Sequence, residues 1–159
     1  MMLCAGLALA ACTDPGRFDD TNTVDLNGNG SGSASDPASP LYFQQTVGDR
    51  VLFVVDQYTL TSEAQFILDG QAEWLMTNSD YTAVVEGHAD EQGTREYNLA
   101  LGARRANSVQ EYLLSRGVPS NRLRVVSFGK ERPIEICSAE SCYAQNRRAV
   151  TVISISPSS

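Results

Sequence analysis

Asp90 and Arg105 are the two residues whose types and spacing most invite chemistry. Both lie in the run EGHADEQGTREYNLALGARRANSVQEYL, Glu86 to Leu113. From Thr94, read as a helix N-cap with Tyr97 and Asn98 in the first turns, apolar residues at Leu101, Val109, Tyr112 and Leu113 follow the spacing of one helix face. Stepping by fours from Leu101 puts Arg105 on that same inward face. A guanidinium there loses its water and needs an anion. The nearest candidate is Asp90, where a strand over 82–88 runs out into the Glu91-Gln92-Gly93 turn. Two arrangements fit. In one, the pair forms a direct ion pair tying the turn to the helix. In the other, the charges stay apart and clamp a zwitterion, Asp90 taking an ammonium and Arg105 a carboxylate through its bidentate fork. Spacing does not choose between them.

Other chemistry is thinly supplied. His88 is the only histidine, and the chain has no Gly-x-Ser-x-Gly elbow and no His-Glu-x-x-His. His88 therefore reads as a hydrogen-bonding residue that shapes the turn. Glu86 and Asp90 leave the same strand with no second acid placed opposite, a poor arrangement for glycan hydrolysis. No catalytic residue, metal or cofactor is expected. There is no basic stripe with interleaved aromatics, which argues against nucleic acid.

The elements that must position Asp90 and Arg105 follow from apolar pattern and punctuation. The run 49–56, DRVLFVVD, has the β-branched content of a central strand. Thr61 or Ser62 then caps a helix with Ile67, Leu68, Trp74 and Leu75 inward, ending near Asn78. The helix carrying Arg105 runs to Arg116, with Gly117 and Pro119 as stop signals. Strands are expected over 123–129 and 149–155, with a short helical piece around 139–147. This alternation predicts an α/β (α+β) two-layer sandwich, a mixed four-stranded sheet with helices on one side.

Taken together, EGHADEQGTREYNLALGARRANSVQEYLLSRGV, SFGKERP and QNRRAV resemble the OmpA-like peptidoglycan-binding family, and within it the peptidoglycan-associated lipoproteins of Tol-Pal systems. The likeness covers roughly 42–155, with Asn98, Leu101, Arg105-Ala106, Val109 and Leu113 meeting the family's helix pattern. It implies that Asp90 and Arg105 hold meso-diaminopimelate of the peptidoglycan stem peptide. It also points to the backbone around Asp56, to His88 at the turn, to Asn98 and Leu101, and more loosely to Arg148. Implied partners are peptidoglycan, the propeller protein TolB and other Tol-Pal components. Gln92 departs from the family, which usually has arginine there. The implied role is non-catalytic: holding outer membrane to cell wall, with a part in envelope integrity and constriction at division. An envelope interaction module outside Tol-Pal and a peptidoglycan hydrolase are the alternative readings. On this reading, alanine at Asp90 or Arg105 leaves a folded domain that no longer binds the wall.

Ahead of that domain, 1–11 (MMLCAGLALAA) is apolar, too short to span a bilayer, and suits a signal peptide. It lacks preceding basic residues, so the true n-region is expected to start upstream. Leu9-Ala10-Ala11-Cys12 resembles a lipobox, making Cys12 the expected lipidation site and the outer membrane, facing the periplasm, the expected location. Residues 12–40 read as lipidated cysteine and flexible tether, with the globular domain over 41–159. Five acids against Arg17 in 13–40 place about −4 of the net −7 in that tail. A tether of about 28 residues has a root-mean-square span of about 30 Å. With Cys4 and Cys12 accounted for, Cys137 and Cys142 remain; an oxidising periplasm suggests a disulfide, with free thiols or a metal site still open.

Overall fold

The computed structural model describes residues 32–156; the expected signal segment, Cys12 and most of the tether lie outside them. In order, the elements are α1 (Pro40–Tyr42) running into a π-helical turn (Phe43–Gly48), β1 (Arg50–Leu52), α2 (Ser62–Thr77) and β2 (Tyr81–His88). There follow α3 (Arg95–Ser115), a 3-10 turn (Ser120–Arg122), β3 (Leu123–Gly129), α4 (Glu140–Asn146) and β4 (Arg148–Ile155). The strands form one mixed sheet in the order β1-β4-β2-β3, with β2 and β3 parallel and the other pairs antiparallel. The expected two-layer architecture is the one observed.

Local signals start and stop the helices as anticipated. Thr61 Oγ1 accepts from the Ala64 amide at 3.1 Å and Thr94 Oγ1 from Tyr97 at 3.2 Å, each satisfying an orphan donor of the first turn. Along β2, Ala83, Val85 and Gly87 are buried while Val84 and Glu86 are half-buried. This period of two leaves α2 and α3 on one face. The core they close contains Phe43, Leu68, Leu75, Val85, Val109 and Leu113, all at most 1% exposed. Gln71, fully buried, ties the layers together: it accepts from Thr151 Oγ1 at 2.7 Å and donates to the Gly48 carbonyl at 2.7 Å.

Two expectations are corrected. The run 49–56 is not a central strand; only Arg50–Leu52 pairs, at the sheet edge against β4. Beyond it arginines take the carbonyls a neighbouring strand would have used: Phe53 O accepts from Arg147 Nε and Val54 O from Arg105 Nη2. Asp56 then turns the chain with φ of 55°. The packed domain also includes residues before Leu41. Trp74 Nε1 donates to the Pro37 carbonyl at 2.7 Å, and buried Ser39 caps α1. A lone indole N–H on a core tryptophan needs such a partner.

Helix α3 meets β2 through a pair of glycines. A Cβ on Gly87 would overlap the Gly102 carbonyl oxygen, and one on Gly102 would overlap Ser127 Oγ. Because the first obstacle is backbone, Gly87→Ala is expected to cost about 2 to 3 kcal/mol. A lowered urea midpoint checks this, and an unchanged midpoint would mean α3 does not sit directly on β2.

Candidate functional site

Arg105 lies on the inward face of α3, wholly buried. Its Nε donates to the Gln57 carbonyl at 2.8 Å, Nη1 to His88 O at 2.8 Å and Nη2 to Val54 O at 3.2 Å. The Phe53 ring centroid lies 5.3 Å from its Cζ. Three neutral carbonyls fix the fork in place, yet no carboxylate among the described residues touches it. Two of the five N–H donors remain for another acceptor. Burial lowers this group to about 10, so it stays charged at neutral pH; Asp90 is the strongest charge opposing that drop, and Arg147 works with it.

Asp90 is 7% exposed. Its Oδ1 accepts from the Gln92 amide at 3.1 Å, closing an Asx turn, and its Oδ2 from Arg147 Nη1 at 3.1 Å. The direct Asp90–Arg105 pair considered from sequence is thus absent; Arg147 holds the acid instead. Arg147 also donates through Nη2 to Glu140 Oε1 and, at 3.4 Å, through Nη1 to Oε2. Those two acids hold its guanidinium above the usual range.

The sequence reading passed over Arg147 in favour of Arg148. Strand alternation carries the signal that separates them: Arg147 shares the face of the core residue Ala149, whereas Arg148 shares that of exposed Val152. Arg148 is buried on that other side, donating to Arg132 O at 3.2 Å.

The remaining expected residues divide the same way. Asp56 accepts from Tyr97 Oη at 3.3 Å, in the loop that gives Arg105 its Val54 and Gln57 partners. Asn98, 1% exposed, donates to Gln92 O at 2.7 Å and so shapes the turn. Leu101 is buried one helical turn before Arg105. The structure therefore brings Asp56, Asp90, Asn98, Leu101 and Arg105 to one end of the sheet. Only the carbonyl of His88 joins them. Its ring stacks on Phe128 at 5.6 Å with neither nitrogen hydrogen-bonded, and Glu86 Oε2 is 3.6 Å away. Next to Arg147, a depression of about 450 Å³ is walled by Leu52, Phe53, Val54, Ile67 and Gln145.

Burial, with Arg148 and Arg132 nearby, pushes the His88 ring down to about 4 from its ordinary 6.5. Between those values the unfolded chain takes up a proton that the folded one refuses. Stability is therefore unaffected above pH 6.5 and falls as pH drops toward 4, by at most about 3 kcal/mol. Urea midpoints over pH 4.5 to 7 should slope less in His88→Gln than in the wild type; equal slopes would contradict a ring buried in its neutral form.

The sequence profile of the OmpA family matches residues 52–147. A peptidoglycan-associated lipoprotein of Mesorhizobium japonicum is 49% identical over 152 residues, covering 96% of this chain and 89% of that relative. One of Haemophilus influenzae is 40% identical over 143 residues, covering 90% and 88%. The crystal structure of the peptidoglycan-associated lipoprotein from Burkholderia pseudomallei superposes with a TM-score of 0.68 at 37% identity, over 76% of this chain and 98% of that one. The C-terminal domain of Helicobacter pylori MotB, 21% identical with a TM-score of 0.63, shares the fold.

Proposed function

The chain belongs to the OmpA family and, within it, to the peptidoglycan-associated lipoproteins, and from that premise we propose that it grips peptidoglycan non-covalently through diaminopimelate of the stem peptide. Asp90 takes the ligand's ammonium and Arg105 its carboxylate. The observation that carries this is the wholly buried Arg105 guanidinium, which meets three carbonyls and, among the described residues, no acid. A buried cation held by neutral dipoles alone is stabilised further by any carboxylate that reaches its spare donors. The ammonium end is served too: Arg147 can yield Asp90 to the ligand because Glu140 remains as its partner.

In this proposal Asn98 and Leu101 shape the pocket around the turn, and the Asp56 loop roofs Arg105. Cys12 carries the lipid, and 12–40 lets the domain reach the wall from the outer membrane, within a Tol-Pal system that acts in envelope integrity and division. The chain acts by binding, without turnover. TolB engages a surface overlapping the wall-binding one, so soluble muropeptide should displace it. The direct test is co-sedimentation of the protein with purified sacculi and its release by a diaminopimelate-containing stem peptide. Retention that such a peptide does not reverse would refute the clamp, and muropeptides released from sacculi would point to a hydrolase.

A further inference from the structure

We propose that Glu91 and Glu140 are positioning residues for the clamp, and that the Cys137–Cys142 disulfide holds both in place. The inference rests on the diaminopimelate reading above. Glu91 follows Asp90 directly. Its Oε1 accepts from Ser138 Oγ at 2.7 Å and from Tyr143 Oη at 2.9 Å. On the other side of the turn, Lys130 Nζ donates to the carbonyls of Gly93 at 2.7 Å and Glu91 at 3.3 Å. Glu140 grips Arg147, whose Nη1 is shared with Asp90.

Ser138 and Glu140 sit inside the small loop closed by Cys137 and Cys142, whose Cα atoms are 5.8 Å apart, and Tyr143 is the next residue. The loop thus supplies one contact to the turn carrying Asp90 and another to the arginine that competes for Asp90. Ser138, Glu140 and Glu91 are exposed, and exposed contacts between mobile side chains are individually weak. Covalent closure removes most of the freedom these contacts would otherwise have to overcome.

With the disulfide closed, the turn is pre-shaped and Glu140 shares Arg147 with Asp90, so that an incoming ammonium competes for Asp90 against a divided partner. When an external dithiol attacks, the sulfur–sulfur bond breaks. Two electrons and two protons pass from the dithiol, which becomes a disulfide, and Cys137 and Cys142 end as thiols. The loop then frays, Glu140 loosens, and Arg147 settles on Asp90 against the incoming ligand. The ordering cost returns to the binding step.

The test measures affinity and dissociation rate of the detergent-solubilised full chain for a diaminopimelate-containing stem tripeptide. Compared are the oxidised protein, the protein in dithiothreitol, and the Cys137→Ser/Cys142→Ser double variant. Affinity about tenfold weaker in the last two, mainly through faster dissociation, is expected under conditions where all three remain folded. In the oxidised protein Glu91→Ala should reproduce part of the loss, and Glu91→Gln, which keeps the acceptor oxygen, should restore most of it; once reduced, Glu91→Ala should add little. Binding unchanged by reduction, or a loss seen only where the reduced protein unfolds, overturns the inference alone. Failure of the oxidised wild type to bind overturns the clamp reading and this inference with it.

Discussion

Arg105→Ala is expected to abolish retention on sacculi and to destabilise the domain by about 3 kcal/mol or more. The first effect follows from losing the only cation proposed to meet the ligand's carboxylate; truncating one partner of a desolvated charged pair costs about 2 to 5 kcal/mol of binding. The second follows from the cavity left by a wholly buried side chain and from the buried His88 and part-buried Gln57 carbonyls, which lose their Arg105 donor, while Val54 O keeps the Gln57 amide at 3.1 Å. A buried acceptor stripped of its partner costs about 1 to 3 kcal/mol. This revises the sequence-based expectation of a normally folded alanine variant. Urea denaturation measures the stability loss, and co-sedimentation below the denaturation midpoint isolates the binding loss. Wild-type retention in the folded variant would exclude Arg105 as the carboxylate's partner.

Asp90→Asn should separate binding from folding more cleanly. Asparagine keeps an oxygen for the Gln92 amide, and Arg147 keeps Glu140, so stability should fall by about 1 to 2 kcal/mol at most. The ligand's ammonium, by contrast, loses its counter-charge, and affinity should drop at least about 30-fold. Titration with a stem peptide checks this; an affinity within about twofold of wild type would rule the carboxylate out of the clamp.

The sequence revealed those parts of the fold where local pattern and tertiary demand agree. Thr94, the Leu101–Leu113 stripe and Gly117 bounded α3 because cap, face and stop are all encoded within a few residues. The inward Arg105 was legible for the same reason: a charge on an apolar face breaks a pattern. What the pattern could not reveal was which groups satisfy that charge. Its partners are backbone carbonyls 48 and 51 residues earlier in the chain, and any residue type offers a carbonyl. Within 49–56, the carbonyls of Phe53 and Val54 accept from Arg147 and Arg105 and not from a neighbouring strand, which is why that run failed as a central strand. Arg147 was missed because adjacent arginines look alike until β4 assigns each to a face, and that face is fixed only by pairing with β1 and β2.

The most direct test is a titration comparing two stem tripeptides that differ only at the third residue, meso-diaminopimelate against lysine. Lysine keeps the side-chain ammonium for Asp90 and lacks the carboxylate for Arg105. The wild-type protein is expected to prefer the diaminopimelate peptide by at least about 30-fold, a difference of about 2 kcal/mol. Equal affinity for the two peptides would contradict the clamp.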